Sequence, residues 1–334
     1  MRDGCPKIAI VGGYGKMGQI RKEALHSLYP LTKTGFHISI VDAPNHSLWT
    51  FADVLAYAHE VDGVMICTPN NFNEDYTVRA LQAGKHVFCE KPPAFTAGGV
   101  GRVAMVLSQH PEAKLMYGFN LRHHASIRHM KGLIDSGELG EVLWMRGRYG
   151  KSVDEDFFNT WRADKTQAGG GILIDQGIHM LDLFLHLGGT FDEVRAFVSN
   201  LYWKCDVEDN AFVILRNSKT GRVASMHSTM TQWRHLFSLE VFLSKGYMVL
   251  DGLKTPSGMY GDEVLSVCRS RTEPPAAAWN TETRTTFKSD DSWRSEVQHW
   301  TDAIRNDTPI TIGTVDDAHA VMEVIDEIYR QKNS

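Results

Sequence analysis

Paired cysteines, long apolar runs and an excess of positive charge are all missing from this sequence, and each absence closes off a class of protein. The five cysteines, Cys5, Cys67, Cys89, Cys205 and Cys268, are odd in number, widely scattered and never in a Cys-x-x-Cys pair. Neither a disulfide framework nor a zinc site is indicated. Cys67 and Cys89 fall in apolar segments that read as strands, where buried thiols are expected. No apolar run approaches the ~20 residues of a membrane span, and Met1 to Lys7 lacks a hydrophobic signal core, so the expectation is a cytoplasmic protein without membrane association. A formal net charge of −5 gives no basic footprint for nucleic acid and no polybasic patch for a membrane surface. Internal repeats and low-complexity tracts are absent too. What is present is a chain of 334 residues with an ordinary 43% hydrophobic content. That is too long for one common core, and two domains are expected.

The chain is organised around Lys7 to Asp42. Lys7-Ile8-Ala9-Ile10-Val11 is a short apolar run stopped by glycine, and residues 16 to 28 read as a helix. Gly13-Tyr14-Gly15-Lys16-Met17-Gly18 therefore sits at a strand-to-helix turn. In such a turn Gly13 permits the tight bend, Gly15 lets backbone N–H groups approach a diphosphate at the helix N-terminus, and Gly18 lets the helix lie close to the strand. Asp42 follows a second strand, Ile38 to Val41, near the usual ~20-residue separation for the acid that accepts ribose hydroxyls. A glycine pattern alone is weak; strand, turn, helix, strand and acid in this order are not. The plainer alternative is a glycine-rich turn followed by an exposed aspartate.

Strands and helices continue to alternate: a helix over Leu48 to His59, a buried strand over Val61 to Cys67, a helix over 73 to 84, a strand over His86 to Cys89, a helix near 96 to 109 and a strand over Lys114 to Gly118. This is the pattern of a doubly wound parallel sheet, with ligands bound off the carboxyl ends of its strands. Thr68, Pro69, Asn70, Glu90, Lys91, Pro92 and Asn120 are expected to line one crevice with the glycine turn. Beyond about residue 122 the character changes. A helix over Ile127 to Ser136 is followed by extended segments at Val142 to Tyr149, Val194 to Tyr202, Ala211 to Arg216, Arg222 to Met230 and Leu236 to Leu250, with a hairpin turn at Asn217 to Gly221. Strands not separated by helices predict an α+β domain built on a large, mostly antiparallel open sheet. Residues 255 to 290 read as an irregular surface excursion. Two closing helices carry apolar faces, Trp293, Val297, Trp300 and Ile304, then Ala318, Val321, Met322, Ile325 and Tyr329. The fold class is thus α/β, with residues 1–122 as the dinucleotide-binding domain and 123–334 as the second, the C-terminal helix being a candidate to pack back on the first.

Gly169-Gly170-Gly171 leads into a second informative stretch. If the chain is helical from Leu173, then Ile174, Ile178, Leu181 and Leu185 form an apolar stripe, and Asp175, His179, Asp182 and His186 a polar one. A carboxylate one turn before an imidazole suits proton transfer. The glycines allow close approach of a ligand or of another backbone. Two alternatives stand beside this: a solvated polar face, and a metal site of Asp175, His179 and Asp182, which lacks a second ligand cluster.

Gly-x-Gly-x-x-Gly, Thr68-Pro69-Asn70, Ala83-Gly84-Lys85-His86-Val87 into Glu90-Lys91-Pro92, and the three glycines with Asp175 and His179 together resemble the Gfo/Idh/MocA family, glucose-fructose oxidoreductase and inositol dehydrogenase among its members. The likeness covers nearly the whole chain. It implies an N-terminal Rossmann domain and an NAD(P)-dependent oxidoreductase acting on secondary alcohols of sugars, cyclitols or sugar nucleotides. By that resemblance Lys91, Asp175 and His179 match the catalytic trio. His179 is the expected proton acceptor and Lys91 the group that stabilises the substrate oxygen, with the reverse assignment open. The cofactor is expected on Gly13, Tyr14, Gly15, Lys16, Met17, Gly18, Asp42, Thr68, Pro69, Asn70, Asn73, Glu90, Lys91 and Asn120. Asn73 departs from the family's frequent histidine. Asp42 would repel a 2′-phosphate and Ala43-Pro44-Asn45 offers no compensating arginine, so NAD is expected over NADP. Arg122, His123, His124, Lys151, Trp161 and Arg162 are expected to face the substrate, and an aromatic with several cations suits a sugar bearing a carboxylate or phosphate. Trp161-Arg162 also resembles enzymes that oxidise a nucleotide-linked amino-sugar or uronic acid at its 3-hydroxyl. The likeness further implies sheet-to-sheet homodimers, often paired into tetramers. The competing expectation is a regulator of the same fold that binds NAD without turnover.

Overall fold

The computed structural model describes residues 6–29, 38–41, 51–56, 61–269 and 279–332. In chain order its elements are β1 (Ile8–Val11), α1 (Lys16–Leu28), β2 (Ile38–Val41), α2 (Phe51–Ala56), β3 (Gly63–Ile66), α3 (Asn73–Gln82), β4 (His86–Glu90), α4 (Ala97–Gln109) and β5 (Leu115–Gly118). There follow α5 (Ala125–Asp135), β6 (Val142–Ser152), α6 (Lys165–Ala168), a π turn over Leu173–Gly177 running into α7 (Ile178–Gly188), β7 (Glu193–Ser199), β8 (Asn210–Arg216), β9 (Val223–Thr229), β10 (Thr231–Leu243), β11 (Gly246–Asp251), β12 (Glu263–Arg269), β13 (Thr283–Phe287), α8 (Ser292–Asn306) and α9 (Val315–Lys332). The chain forms two compact units, residues up to 120 with 292–322, and residues 121–291 with 323 onward.

Among the described residues of the first unit, five parallel strands run in the order β2-β1-β3-β4-β5. β1 and β3 are buried at every position, as near-continuous apolar strands covered on both faces must be. The core joins Ile8, Ile10, Leu25, Met65, Phe88 and Met116 to Val297 and Trp300 of α8. The Trp300 indole leaves no room for a Cβ on Gly63, and its Nε1 donates to the Lys114 carbonyl at 3.2 Å. Beside this core the fully buried Arg21 guanidinium meets Glu90 at 2.7 Å and Glu296 at 2.6 Å. Burial alone would lower its pKa, but the two carboxylates raise it above the ordinary value.

The second unit is built on an eight-stranded sheet among the described residues, ordered β13-β12-β11-β10-β6-β9-β8-β7, with β6 and β9 as its parallel pair. α7 covers one face: Met180 fills the space left by Gly147, and Met145 the space left by Gly188. The hairpin turn at 217–221 forms as expected, with the Asn217 side chain accepting from the N–H groups of Lys219 and Thr220. Two expectations are corrected. Leu236 to Leu250 is not one strand but β10 and β11 joined at Ser244-Lys245, whose N–H groups bond Glu141 and Leu139. The 255–290 stretch is not simply irregular, because β12 and β13 extend the sheet there through backbone pairing that Pro- and Ala-rich composition does not reveal. No helix among the described residues is long and apolar enough to cross a membrane.

Candidate active site

In the first unit the candidate residues begin at the turn after β1. Its left-handed residue is Gly12, at φ +79°, rather than Gly13. A Cβ on Gly12 would lie 2.5 Å from the Cys67 carbonyl oxygen, so this unforeseen glycine lets the turn pass over the end of β3. Gly18 behaves as expected, since a Cβ there would meet the backbone of Gly12 and Gly13. Gly15 is the N-cap of α1, and neither a capping side chain nor an acid satisfies the first turn. Backbone donors with the positive end of the helix dipole behind them fit a diphosphate. Tyr14, Gly15 and Lys16 are exposed around them, and Met17 is half-buried. Asp42 lies outside the described residues.

Thr68 and Pro69 are half-buried beyond β3, and Asn70 is buried at the start of a 3-10 turn. Asn73 and Glu90 were expected to face the cofactor. Asn73 is instead fully buried, its amide donating to the carbonyls of Pro92 at 2.7 Å and Glu90 at 3.3 Å. Glu90 turns inward to Arg21. Both therefore hold the segment that presents Lys91, which is half-buried directly after β4 and joined to Pro92 by a cis peptide. Asn120 is half-buried and reaches Ser292 at 3.4 Å. Burial pushes the neighbouring Cys89 thiol up to about 12, leaving it inert near neutrality. Cys67 is only half-buried.

A second cluster of candidate residues lies in the second unit. Gly169 closes α6 at φ +82°. The glycines that follow admit backbone and side chain of this same chain rather than a ligand: Gly171 packs on Glu208 and Gly170 on the Tyr329 hydroxyl. The Glu208 carboxylate accepts from the N–H groups of Gly171 at 2.8 Å and Leu173 at 3.2 Å and from Tyr329 Oη at 2.8 Å. Glu208 thus caps the helix that carries the site, and no local sequence signal marks it. The π turn then places Asp175 against two cations, Lys151 Nζ of β6 and Arg162 Nε at 3.9 Å. The Arg162 guanidinium lies 4.4 Å over the Trp161 ring. Trp161, Arg162, Lys151 and Asp175 are therefore brought together.

His179 is buried, its ring 6.1 Å from that of Tyr149. Tyr149 is hydrogen-bonded to Tyr260, whose hydroxyl stands 3.5 Å from Gln176 Oε1. Burial, reinforced by the Asp175 charge, pushes the Tyr149 phenol well above its ordinary value, so it stays protonated. Arg122 and His123, expected to face substrate, are buried instead. Arg122 grips Asp182 bidentately at 2.9 and 2.6 Å, and His124 faces Glu263 at 3.1 Å. Asp182 being 1% exposed, the solvated-face alternative for α7 fails. Among the described residues no cluster of His, Cys, Asp and Glu is placed to hold a metal ion.

A parallel sheet whose first turn suits a diphosphate, in one chain with an antiparallel half carrying an acid and an imidazole, defines a two-domain dinucleotide-binding protein. Residues 7–119 match the model of an oxidoreductase family with an NAD-binding Rossmann fold, and residues 127–249 match the Gfo/Idh/MocA C-terminal domain. The chain belongs to the Gfo/Idh/MocA oxidoreductase family. It is 28% identical over 211 residues to D-glucoside 3-dehydrogenase of Escherichia coli (strain K12), a match covering 59% of this chain and 58% of that protein. The chain thus matches less than two thirds of that relative's length. It is 23% identical over 319 residues to inositol 2-dehydrogenase of Corynebacterium glutamicum, covering 90% and 86%. A solved levoglucosan dehydrogenase in complex with NADH and levoglucosan has the same fold, with a TM-score of 0.81, 20% identity, and coverage of 98% of this chain and 97% of that one.

Proposed function

We propose that this chain is an NAD-dependent oxidoreductase that moves a hydride between nicotinamide and a secondary alcohol or ketone of a sugar or cyclitol. The observation that carries the reading is that a chain of this family holds both an uncapped glycine-lined helix N-terminus in its first unit and a buried imidazole one turn beyond the Asp175 cluster in its second. The relatives' names, for glucosides, inositol and levoglucosan, support the substrate class. NAD, when bound, supplies the hydride acceptor. The N–H groups at the start of α1 would hold its diphosphate and Asp42 its ribose hydroxyls.

Lys91, Asp175 and His179 would carry the proton chemistry. The neutral form of the His179 imidazole can take the hydroxyl proton. Asp175, itself held by Lys151 and Arg162, would favour the resulting cation, and Lys91 would stabilise the negative charge developing on the substrate oxygen. Lys91→Ala and His179→Ala should each keep NAD binding and lose on the order of 10² in kcat. A His179→Ala variant that stays active and keeps the basic limb of the pH profile would make Lys91 the proton acceptor.

A finer reading, oxidation of the 3-hydroxyl of a nucleotide-linked amino-sugar or uronic acid, rests on Trp161, Arg162 and the other cation beside Asp175. One panel tests all of this: free sugars, cyclitols and UDP-linked sugars incubated with NAD or NADP and followed by absorbance of the reduced cofactor. Turnover with NAD is expected. NAD binding without turnover across the panel would instead make the chain a regulator of the same fold.

A further inference from the structure

A line of aromatic rings leads from Asp175 to the surface of the second unit and has no part in the chemistry described. The Lys151 ammonium that pairs with Asp175 also lies 4.9 Å over the Phe157 ring. From there ring follows ring: Phe158 at 5.5 Å, Trp203 at 5.1 Å, Tyr202 at 5.0 Å and Trp233 at 4.9 Å from Tyr202. The last two are 58% exposed each, a large apolar cost for side chains left in water. Their exposure is built into the fold. The buried Asp209 carboxylate accepts from the backbone N–H groups of Leu201, Tyr202 and Trp203 at 2.8, 2.8 and 3.0 Å, and Trp203 Nε1 donates to the Met230 carbonyl. Trp233 sits at φ +58°, where the pairing of β10 with β6 is interrupted between Thr231 and Leu236. A left-handed backbone at so bulky a residue is strained and persists where its surroundings impose it.

Tyr202 and Trp233 meet edge to face at 81°, which leaves flat ring faces for a ligand. Asp154, Glu155 and Asp156, all exposed, immediately precede Phe157. Such carboxylates repel a phosphate and accept hydrogen bonds from hydroxyls. We infer that the Phe158–Trp203–Tyr202–Trp233 strip is a subsite for the non-reacting rings of a neutral glycoside or oligosaccharide whose terminal sugar lies at Asp175. This rests on the sugar-oxidation reading. The exposed carboxylates of residues 154–156 disfavour a nucleotide diphosphate beside the strip.

Calorimetric titration of the NADH-bound protein with glucose, and with cellotetraose and maltotetraose as probes long enough to run from Asp175 along the strip, tests it. At least one of these longer probes should bind about tenfold more tightly than glucose, the worth of one good ring contact. Trp233→Ala and Tyr202→Ala should erase that difference and leave glucose binding unchanged. Equal affinity for glucose and the longer probes, an advantage that survives both substitutions, or a Trp233 effect confined to UDP-glucose or to the state of association would overturn the subsite. Turnover measured in parallel separates the two failures. Oxidation of glucose without a ring-number effect leaves the reaction and removes the subsite, whereas a Trp233-dependent ring-number effect without turnover keeps the subsite and removes the reaction.

Discussion

Arg122 sends Nε and Nη2 to the two oxygens of Asp182 in a site where both side chains are almost wholly buried. Its role is to neutralise a carboxylate inside the second unit. Removing one partner of such a pair strands the other charge, so Arg122→Leu should cost about 3–5 kcal/mol in urea denaturation while sugar KM in the surviving folded enzyme changes little. A large KM effect at unchanged stability would return Arg122 to the substrate. The sequence places arginine and histidine before a helix but cannot say which way they turn, because their partner Asp182 lies 60 residues away. The same limit explains Asn73, Glu90 and Glu208, whose partners are remote in sequence. Gly18, by contrast, was legible because its constraint comes from a turn only a few residues long.

At the scale of elements, periodicity located α1 and α4 well, since their apolar faces and end signals are local. It missed the π turn over Leu173–Gly177, which the capping by Glu208 and packing against Gly171 accompany rather than any residue pattern. Two acids hold the loops of this unit. Burial alone would raise the Asp209 pKa, but the backbone donors of residues 201–203 and the Asn210 amide hold it below the ordinary carboxylate range. Glu263 is likewise raised by burial and brought below its ordinary value by His124, Ser126 and the Lys254 N–H. A carboxylate whose folded pKa is depressed stabilises the fold fully above its unfolded pKa, ~4, and loses that contribution as pH falls through the folded value. The contribution of these two acids to the urea midpoint should therefore be level through neutrality and fall below about pH 4. Asp209→Asn should start lower and show a shallower acid slope. An unchanged slope in that variant would remove Asp209 from the account.

At the scale of the whole molecule, the alternation of strand and helix gives way to strands alone near residue 122, which is why the sequence reading divides the chain there. The sequence offered the C-terminal helix as a candidate to pack back on the first domain; the first unit takes residues 292–322, with Trp300 of α8 filling the space over Gly63. The eight-stranded sheet has an unanswered face. α7 covers one side, while the other carries Phe197 at 81%, Ile214 at 54%, Phe212 at 49% and Trp144 at 38% exposure. Alternate residues of β8 show the division directly: Ala211, Val213 and Leu215 are buried, whereas Phe212, Ile214 and Arg216 are exposed. Trp144 and Phe242 stack at 4.1 Å on neighbouring strands, with Arg146 and Glu240 paired beside them. Aromatic and aliphatic side chains exposed on one sheet face and interleaved with paired charges suit a subunit contact. We propose that two copies pack through this face. Phe197→Glu with Ile214→Glu would place two carboxylates from each copy in that contact. Light scattering at micromolar concentration should then give a dimer or tetramer for the native chain and a monomer for the double variant. A native monomer, or a double variant that stays associated, would show that this face is not the contact.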